Sequence, residues 1–444
     1  MAFLQYLLAH SPLFYLTQSL WRDEAFSILA AERSILFIIT KLGFEPPLYY
    51  SMLHFWIKIF GESEIATRGF SLLGFTLATI IVMEWADQMF KKHWLAIFLP
   101  LSFFLNPMLL YYAFEVRTYG WYLFFSTATL YTYANKKWFW FVLSAICGFY
   151  VHVYIGFLFA AIGIHFLVTE VFAKKLSFKA LIHHPTTRAF LYITLGMMPW
   201  IIRILLLAKQ LANSWYYPVD MQLIRSVLGN MFVGYEGTPW FGWQYTRILS
   251  VILLGLFALS MATKSMRHKS ALFLSVVFVP LILVIGISFF KPLFVNRYLI
   301  FVTVGEVFLV AFALQAITKA WIQKLAASII LVFLVGFNLW YPTQHAKFPI
   351  RPVMEEINML ATPTDAIYAD DPIIYMETKY YAKNRGRVFL YNPTDAVFPW
   401  YIGDAIVTKE NMQTSLPQYP YRAFVVHNDG TYSIMYQSLL TKKL

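Results

Sequence analysis

The feature that most constrains this chain is a series of apolar runs, each about as long as a bilayer is thick. A helix needs about 20 predominantly apolar residues to cross the hydrocarbon core. Runs of that kind lie at 3–20, 66–89, 94–113, 118–134, 138–152, 154–172, 189–211, 246–263, 271–290, 298–318 and 325–342. They predict a polytopic α-helical membrane protein with about 11 spans. Composition agrees: 59% of the residues are hydrophobic and 13% charged, against about 45–50% and about 25% in soluble domains. No water-soluble fold hides that much apolar surface. The first run is the weakest, being short and holding His10 and Gln18. The stretch 138–172 also reads as one bent helix.

The net charge of +12 would suggest nucleic acid in a soluble chain. Here the basic residues sit in short loops between apolar runs, where they set orientation. Lys91 and Lys92, Lys136 and Lys137, Lys174, Lys175, Lys179 and Arg188, Lys264, Arg267 and Lys269, and Lys319 and Lys324 fall in alternate loops. These loops are expected in the cytoplasm, with the N-terminus. The loops 21–65, 212–245 and 291–297 and everything after 342 are then outside.

The expected outer loop 21–65 carries Asp23, Glu24, Glu32, Glu45, Glu62 and Glu64. Within it, "PPLYYSMLHFWIKIF" (46–60) is apolar but too short to span, and reads as an interfacial helix opened by two prolines. "AFSILAAERSILFII" reads as a second surface helix. Beyond 342 the composition shifts: 20 of the last 102 residues are charged, against 38 of the first 342. "DAIYADD", "RVFLYN" and "AFVVHN" read as short strands, and "DPIIYMETKYYAKN" as a helix between two of them. The expected domains are therefore 1–342 in the membrane and 343–444 as a small extracytoplasmic α/β domain.

Several constellations carry chemistry. Asp23 and Glu24 stand at the first water–lipid boundary. Asp23 reads as a helix cap with Glu24 complementing the dipole, or as a general base on a hydroxyl; the two are compatible. Glu45 precedes the Pro-Pro turn and reads as an acid at a helix N-terminus or as a second carboxylate facing the same cleft. "FEVRTYGWY" places Arg117 and Tyr119, and "KPLFVNRYL" places Lys291, Arg297 and Tyr298, at two further expected outer boundaries. Arginine there snorkels to headgroups or holds a phosphate, to which its fork of donors is suited. Two such sites, each with a tyrosine beside the arginine, point to an anionic lipid ligand. Cys147, alone in the chain, excludes an intrachain disulfide and reads as a buried small hydrophobe. His152, His165, His183 and His184 lack ligand spacing. Glu306, inside a span, is a functional suspect by default; Arg203 is a weaker case, and an interhelical contact explains either equally well.

An acid pair after the first run, "EPPLYY" opening a surface helix that ends in "FG", and then "ATRGFSLLG" opening the next span follow one another in an order that resembles the GT-C-fold membrane glycosyltransferases. The branch is that of the protein O-mannosyltransferases and the lipid A aminoarabinose transferase. "VRTYGWYLFF", "NRYLIF" and the α/β tail are similar to it too. The resemblance implies a GT-C-like fold and inverting transfer of a monosaccharide from a polyprenyl-phosphate carrier to a hydroxyl of a lipid, glycan or protein, at the outer face of a prokaryotic plasma membrane. It implies Asp23 as base with Glu24 as partner, Glu45 as the second acid, and Arg117, Tyr119, Lys291, Arg297 and Tyr298 around the donor phosphate. Membrane lipids are expected partners and nucleic acid is not. No metal or other cofactor is assigned; a divalent ion at Asp23 and Glu45 stays open. Two departures stand out. No His or Lys adjoins the Pro-Pro turn at Glu45, which throws phosphate binding onto residues such as Lys291. The large lumenal insertion of the eukaryotic protein-mannosylating enzymes is missing. The alternative function is a polytopic transporter or lipid flippase, which favours ionisable residues near mid-membrane.

Overall fold

A computed structural model describes residues 6, 9–91, 93–209, 216, 218–234, 242–262 and 264–438. The chain separates into two compact units, one built mainly from Arg68–Leu206 and Tyr216–His345, the other mainly from Leu16–Thr67 and Ala346–Leu444.

The first loop folds into three helices, α1 (Arg22–Ala31), α2 (Ile35–Lys41) and α3 (Pro47–Phe60). The single surface helix expected over 25–39 is broken at 32–34, where Ser34 caps α2 by accepting from the Phe37 N–H at 3.2 Å. Nor is its first half a surface helix: every residue of α1 from Glu24 to Ala31 is buried, with α3 packed against it. Pro46 and Pro47 open α3 as expected, because a proline in the first helical turn gives up only an amide that would lack a partner anyway. Gly61, at φ 81°, ends it.

The spans follow as α4 (Glu64–Phe90), α5 (Leu95–Phe104), α6 (Pro107–Ala113), α7 (Tyr119–Ala134), α8 (Trp138–Val151), α9 (Ile155–Phe166), α10 (Pro185–Leu206), α11 (Met221–Val233), α12 (Gly242–Ser260), α13 (Lys264–Ser288), α14 (Ile300–Ala316) and α15 (Ala320–Gln344). Among the described residues seven helical stretches are long and apolar enough to cross a membrane, and the bent pair α5–α6 makes eight. Fewer spans pass that test than the eleven expected. α7 and α8, at 16 and 14 residues, occupy expected spans but are shorter than a bilayer is thick. Of the first run, the described residues Tyr6 and Ala9 are helical and Phe14–Thr17 forms a four-residue helix. Residues 3–5 and 7–8 of that run, Lys92, residues 212–215, 217 and 235–241 of the loop 212–245 and the Lys264 side chain lie outside the description. The 138–172 stretch is two helices, since His152 takes an extended backbone at φ −155° and ψ 120° between them.

α14 is the axis of this unit: all residues from Ile300 to Leu314 are buried, and Phe308 stacks on Phe273 of α13 at 4.3 Å. α11 was not foreseen. It falls in a stretch expected to be an outer loop, yet Ser226–Val233 are buried. Asp220 caps it by accepting from Leu223 N–H at 2.7 Å, and Gly234 closes it in the left-handed conformation that only glycine enters freely. Gly229 lies so close to α12 that an added Cβ would stand 2.1 Å from the Thr246 carbonyl oxygen. The Thr303 hydroxyl donates to the Met231 carbonyl at 2.8 Å and the Asn106 amide to that of Phe232 at 2.9 Å. Both satisfy carbonyls that the end of α11 leaves open.

In the second unit the tail forms α16 (Ile350–Leu360), β1 (Ala366–Ala369), α17 (Pro372–Tyr381), β2 (Val388–Tyr391), β3 (Met412–Gln413), β4 (Ala423–Val426) and β5 (Tyr432–Met435). The sheet order is β3-β2-β1-β4-β5, parallel except for β5. Tyr368 pairs with Phe389 on one side and Val425 on the other. α16 buries Ile350, Met354 and Ile357, the one-face spacing of an amphipathic helix. Asp371 caps α17 at the Ile373 N–H, 2.7 Å away. At the ends of β1 and β4, His427 bridges Asp370 at 2.6 Å and Ser433 at 2.8 Å, tying three strands together.

Candidate functional site

Most of the residues singled out in the sequence fall into two groups, one in each unit. In the second unit, α1 begins at Arg22 with Trp21 as its N-cap residue. Asp23 is therefore inside the first turn and is not the cap. The capping is done by Glu24, whose carboxylate reaches back to accept the Trp21 N–H at 3.3 Å. Asp23 is pinned differently: Arg22 Nε donates to its Oδ1 at 3.0 Å, and its own carbonyl accepts the Ser27 hydroxyl at 2.9 Å. Its side chain stays 16% exposed, held at the positive end of the helix, where a carboxylate is favoured.

Glu24 is in a different environment. It is fully buried and ion-paired at 2.9 Å with Lys347, itself only 7% exposed. Glu45 is half-buried before α3 and accepts the Tyr50 hydroxyl at 2.9 Å. The remaining acids of the loop are tied to basic residues of the tail. Glu64 is bound by Arg351 and by the Tyr381 hydroxyl, and Glu62 and Glu32 share Arg385 at 2.9 and 2.6 Å. Burial, reinforced by Glu62, pushes the Glu32 carboxyl up to about 7, with Arg385 opposing the shift. A further acid, Glu377 of α17, faces the start of α1. Burial raises its carboxyl to about 8, helped by the negative charges of Asp23 and Glu24, while the Arg22 backbone N–H and guanidinium act the other way.

In the first unit the expected phosphate residues come together. The charges of Arg117 and Arg297 both fall on the Tyr119 hydroxyl, as does that of Glu115. The Arg297 guanidinium lies 5.8 Å from the centroid of the Tyr298 ring. His152 is at the centre: its ring stacks on Tyr122 at 4.5 Å, lies 5.0 Å from that of Tyr298, and feels both arginines. The Tyr122 hydroxyl donates to the Tyr298 carbonyl at 3.1 Å and the Tyr154 hydroxyl to that of Leu293 at 2.9 Å, so the short segment carrying Arg297 is anchored to α7 and α9. Arg117 is buried, in the turn before α7, where Ser71 donates to its carbonyl at 3.4 Å. Lys291 is not part of this group: it is exposed beyond α13, and its ammonium makes no hydrogen bond to the group among the described residues.

Sequence reasoning missed four residues. Lys347 and Glu377 carry no local signal, since their partners lie more than 300 positions away. His152 was set aside for want of ligand spacing. Arg68 was quoted within "ATRGFSLLG" without being singled out, yet it is fully buried near the start of α4. An arginine is almost never so placed unless it is paired, and this burial, which the sequence does not show, is what singles it out. Among the described residues no three His, Cys, Asp or Glu side chains gather as a metal-holding group.

The chain resembles two solved structures of one protein: ArnT from Cupriavidus metallidurans in the apo state, with a TM-score of 0.62 at 11% identity, and the same protein bound to undecaprenyl phosphate, at 0.61 and 12%. Each match covers 96% of this chain and 91% of the other. No protein-family model and no curated protein sequence matches. The fold is thus ArnT-like GT-C, polytopic and helical, with a small α/β sheet domain at the C-terminal end.

Proposed function

We propose that this integral membrane protein transfers a monosaccharide, with inversion, from a polyprenyl-phosphate carrier to a hydroxyl acceptor at the outer membrane interface. The observation that carries this reading is the grouping of Arg117, Tyr119, Arg297 and Tyr298, drawn from chain positions some 180 residues apart. Two guanidiniums with buried aromatic neighbours suit a lipid phosphate, which they neutralise as it leaves. The fold likeness to a protein solved with undecaprenyl phosphate supports the same ligand class. In the reaction the acceptor oxygen attacks C1 of the sugar, the C1–O bond to phosphate breaks, and the polyprenyl phosphate departs with the bonding pair. The acceptor proton passes to a carboxylate. Asp23 fits that role, being oriented by Arg22 and partly exposed, and Glu45 is the second acid.

The test is transfer by the purified full chain in nanodiscs, supplied with polyprenyl-phosphate sugars and a hydroxyl acceptor, with the anomeric configuration of the product read by NMR. Arg117→Ala and Arg297→Ala should each weaken binding of polyprenyl phosphate by about 1.5–3 kcal/mol, the value of a charge-assisted contact, without loss of fold. Unchanged affinity in both variants would make them headgroup anchors only. A transporter or flippase reading draws on one observation: Glu306 lies inside α14, fully buried, and neither of its carboxylate oxygens has a hydrogen-bond partner among the described residues. Such groups often mark translocation paths. On the transferase reading, Glu306→Gln leaves sugar transfer intact; abolished lipid movement in vesicles with no transfer activity in the parent would favour the alternative.

A further inference from the structure

The approach to Asp23 is held along its length by the tail domain. The Thr17 carbonyl accepts from Arg351 at 2.7 Å, and Gln18 Oε1 accepts the Lys347 N–H at 3.0 Å. Ser19 Oγ accepts the Arg351 N–H at 3.3 Å, and the Leu20 N–H donates to the Tyr381 hydroxyl at 2.8 Å. The Trp21 ring lies 5.9 Å from the Lys347 ammonium, and the Arg22 N–H donates to Glu377. Six consecutive residues thus each meet a partner between Lys347 and Tyr381, and Asp23 is the next residue. One residue further into α1, Glu24 closes the arrangement with its buried ion pair to Lys347, while the body of α1 packs on α17.

A pair of charges taken fully out of water is weak evidence for stability. Its best-attested use is to fix one geometry, because a buried charge left without its partner is heavily penalised. Glu24 is bonded to the Trp21 N–H as well as to Lys347. It therefore fixes both the first turn of α1 and the point where the tail domain engages it.

We infer that the C-terminal α/β domain positions the catalytic carboxylate: the Glu24–Lys347 ion pair, with the strap 17–22 bound to residues 347–381, sets the place of Asp23, and Glu24 is a positioning residue and not a participant in proton transfer. This rests on the reading of Asp23 as base. The tail domain is then an integral part of the catalytic apparatus, although it supplies no reacting group.

The test uses the full-length protein in nanodiscs, with two readouts: hydrogen exchange of the amides of residues 17–31, and the split between kcat and donor affinity. Lys347→Met should speed exchange across 17–31 and lower kcat by about 100-fold, the effect of misplacing a reacting group by about 1 Å, with donor affinity unchanged. Lys347→Arg keeps the charge and should recover most of both. Should Lys347→Met fail to fold, the double variant Glu24→Leu/Lys347→Met removes both buried charges; it should fold and regain measurable turnover, which a proton-transferring Glu24 forbids. Unchanged exchange in Lys347→Met, or a double variant with parental exchange and no turnover, overturns the inference. If the parent transfers no sugar at all while Lys347→Met still speeds exchange, the clamp stands and the assignment of function fails on its own.

Discussion

Asp23 and Glu24 are adjacent in sequence and opposite in environment, and a substitution at each tests a different thing. Asp23 lies within the first turn of α1, paired with Arg22 and partly exposed. Because the cap is made by Glu24 and not by Asp23, removal of the Asp23 carboxylate carries little structural penalty. It forfeits a helix-terminus interaction of about 0.3–1 kcal/mol and an ion pair of about 0–1 kcal/mol. Asp23→Asn should therefore unfold near the parental temperature and bind donor normally, yet lose about 100-fold or more in turnover, the share a general base commonly supplies. Full turnover in Asp23→Asn moves the base to Glu45. The sequence alone ranks Asp23 as cap or base with Glu24 as its helper. Separating the two required Lys347, a residue 323 positions from Glu24 that no local pattern connects to it.

At the scale of elements, the reading succeeded where signals were local. The strands "AIYA", "VFLY" and "AFVV" and the helix after "DD" were legible from β-branched and aromatic runs bounded by turn residues, and from Asp371-Pro372 opening α17. α3 was legible from Pro46-Pro47. What failed was burial: α1 was expected on the surface and α11 lies in a stretch expected to be an outer loop, and both are buried by contacts from distant parts of their own units. α17 carries a prediction of its own. Glu377 titrates near 8 in the folded protein and near 4.5 when unfolded, raised chiefly by burial. The folded state therefore holds the proton more tightly. The stability tied to it is complete below about 4.5 and is lost as pH rises through about 8. Thermal unfolding measured from pH 5 to 9 should fall with pH in the parent, and should fall less steeply in Glu377→Gln, which keeps the neutral form throughout. Parallel curves for the two proteins would mean that Glu377 does not couple protonation to folding.

At the scale of the whole molecule, the polytopic helical class and the α/β tail were legible because apolar runs and a change in charge density are properties of composition. Span length was less legible: α7 and α8, at 16 and 14 residues, are shorter than a bilayer is thick, and the single run 94–113 is the pair α5–α6, bent by 52°. The two-unit division also draws on contacts that composition hides: the first loop folds as one unit with the tail, bound by Arg351 to Glu64 and by Arg385 to Glu32 and Glu62. Since residues 17–67 and 346–438 are one folded body, the loop and the tail must lie on the same side of the membrane. That requirement gives topology a sharp test. By the positive-inside rule, Lys136 and Lys137, Lys174, Lys175, Lys179 and Arg188, and Arg267 and Lys269 make a cytoplasmic location the expectation for their loops. Reporter fusions after Lys137 and Lys269 should therefore read cytoplasmic, and fusions after His345 and within the loop after Arg33 should both read extracytoplasmic. Opposite readings for those last two fusions would be incompatible with the Glu24–Lys347 pair. A shared cytoplasmic reading would keep the pair and remove the reaction from the outer face.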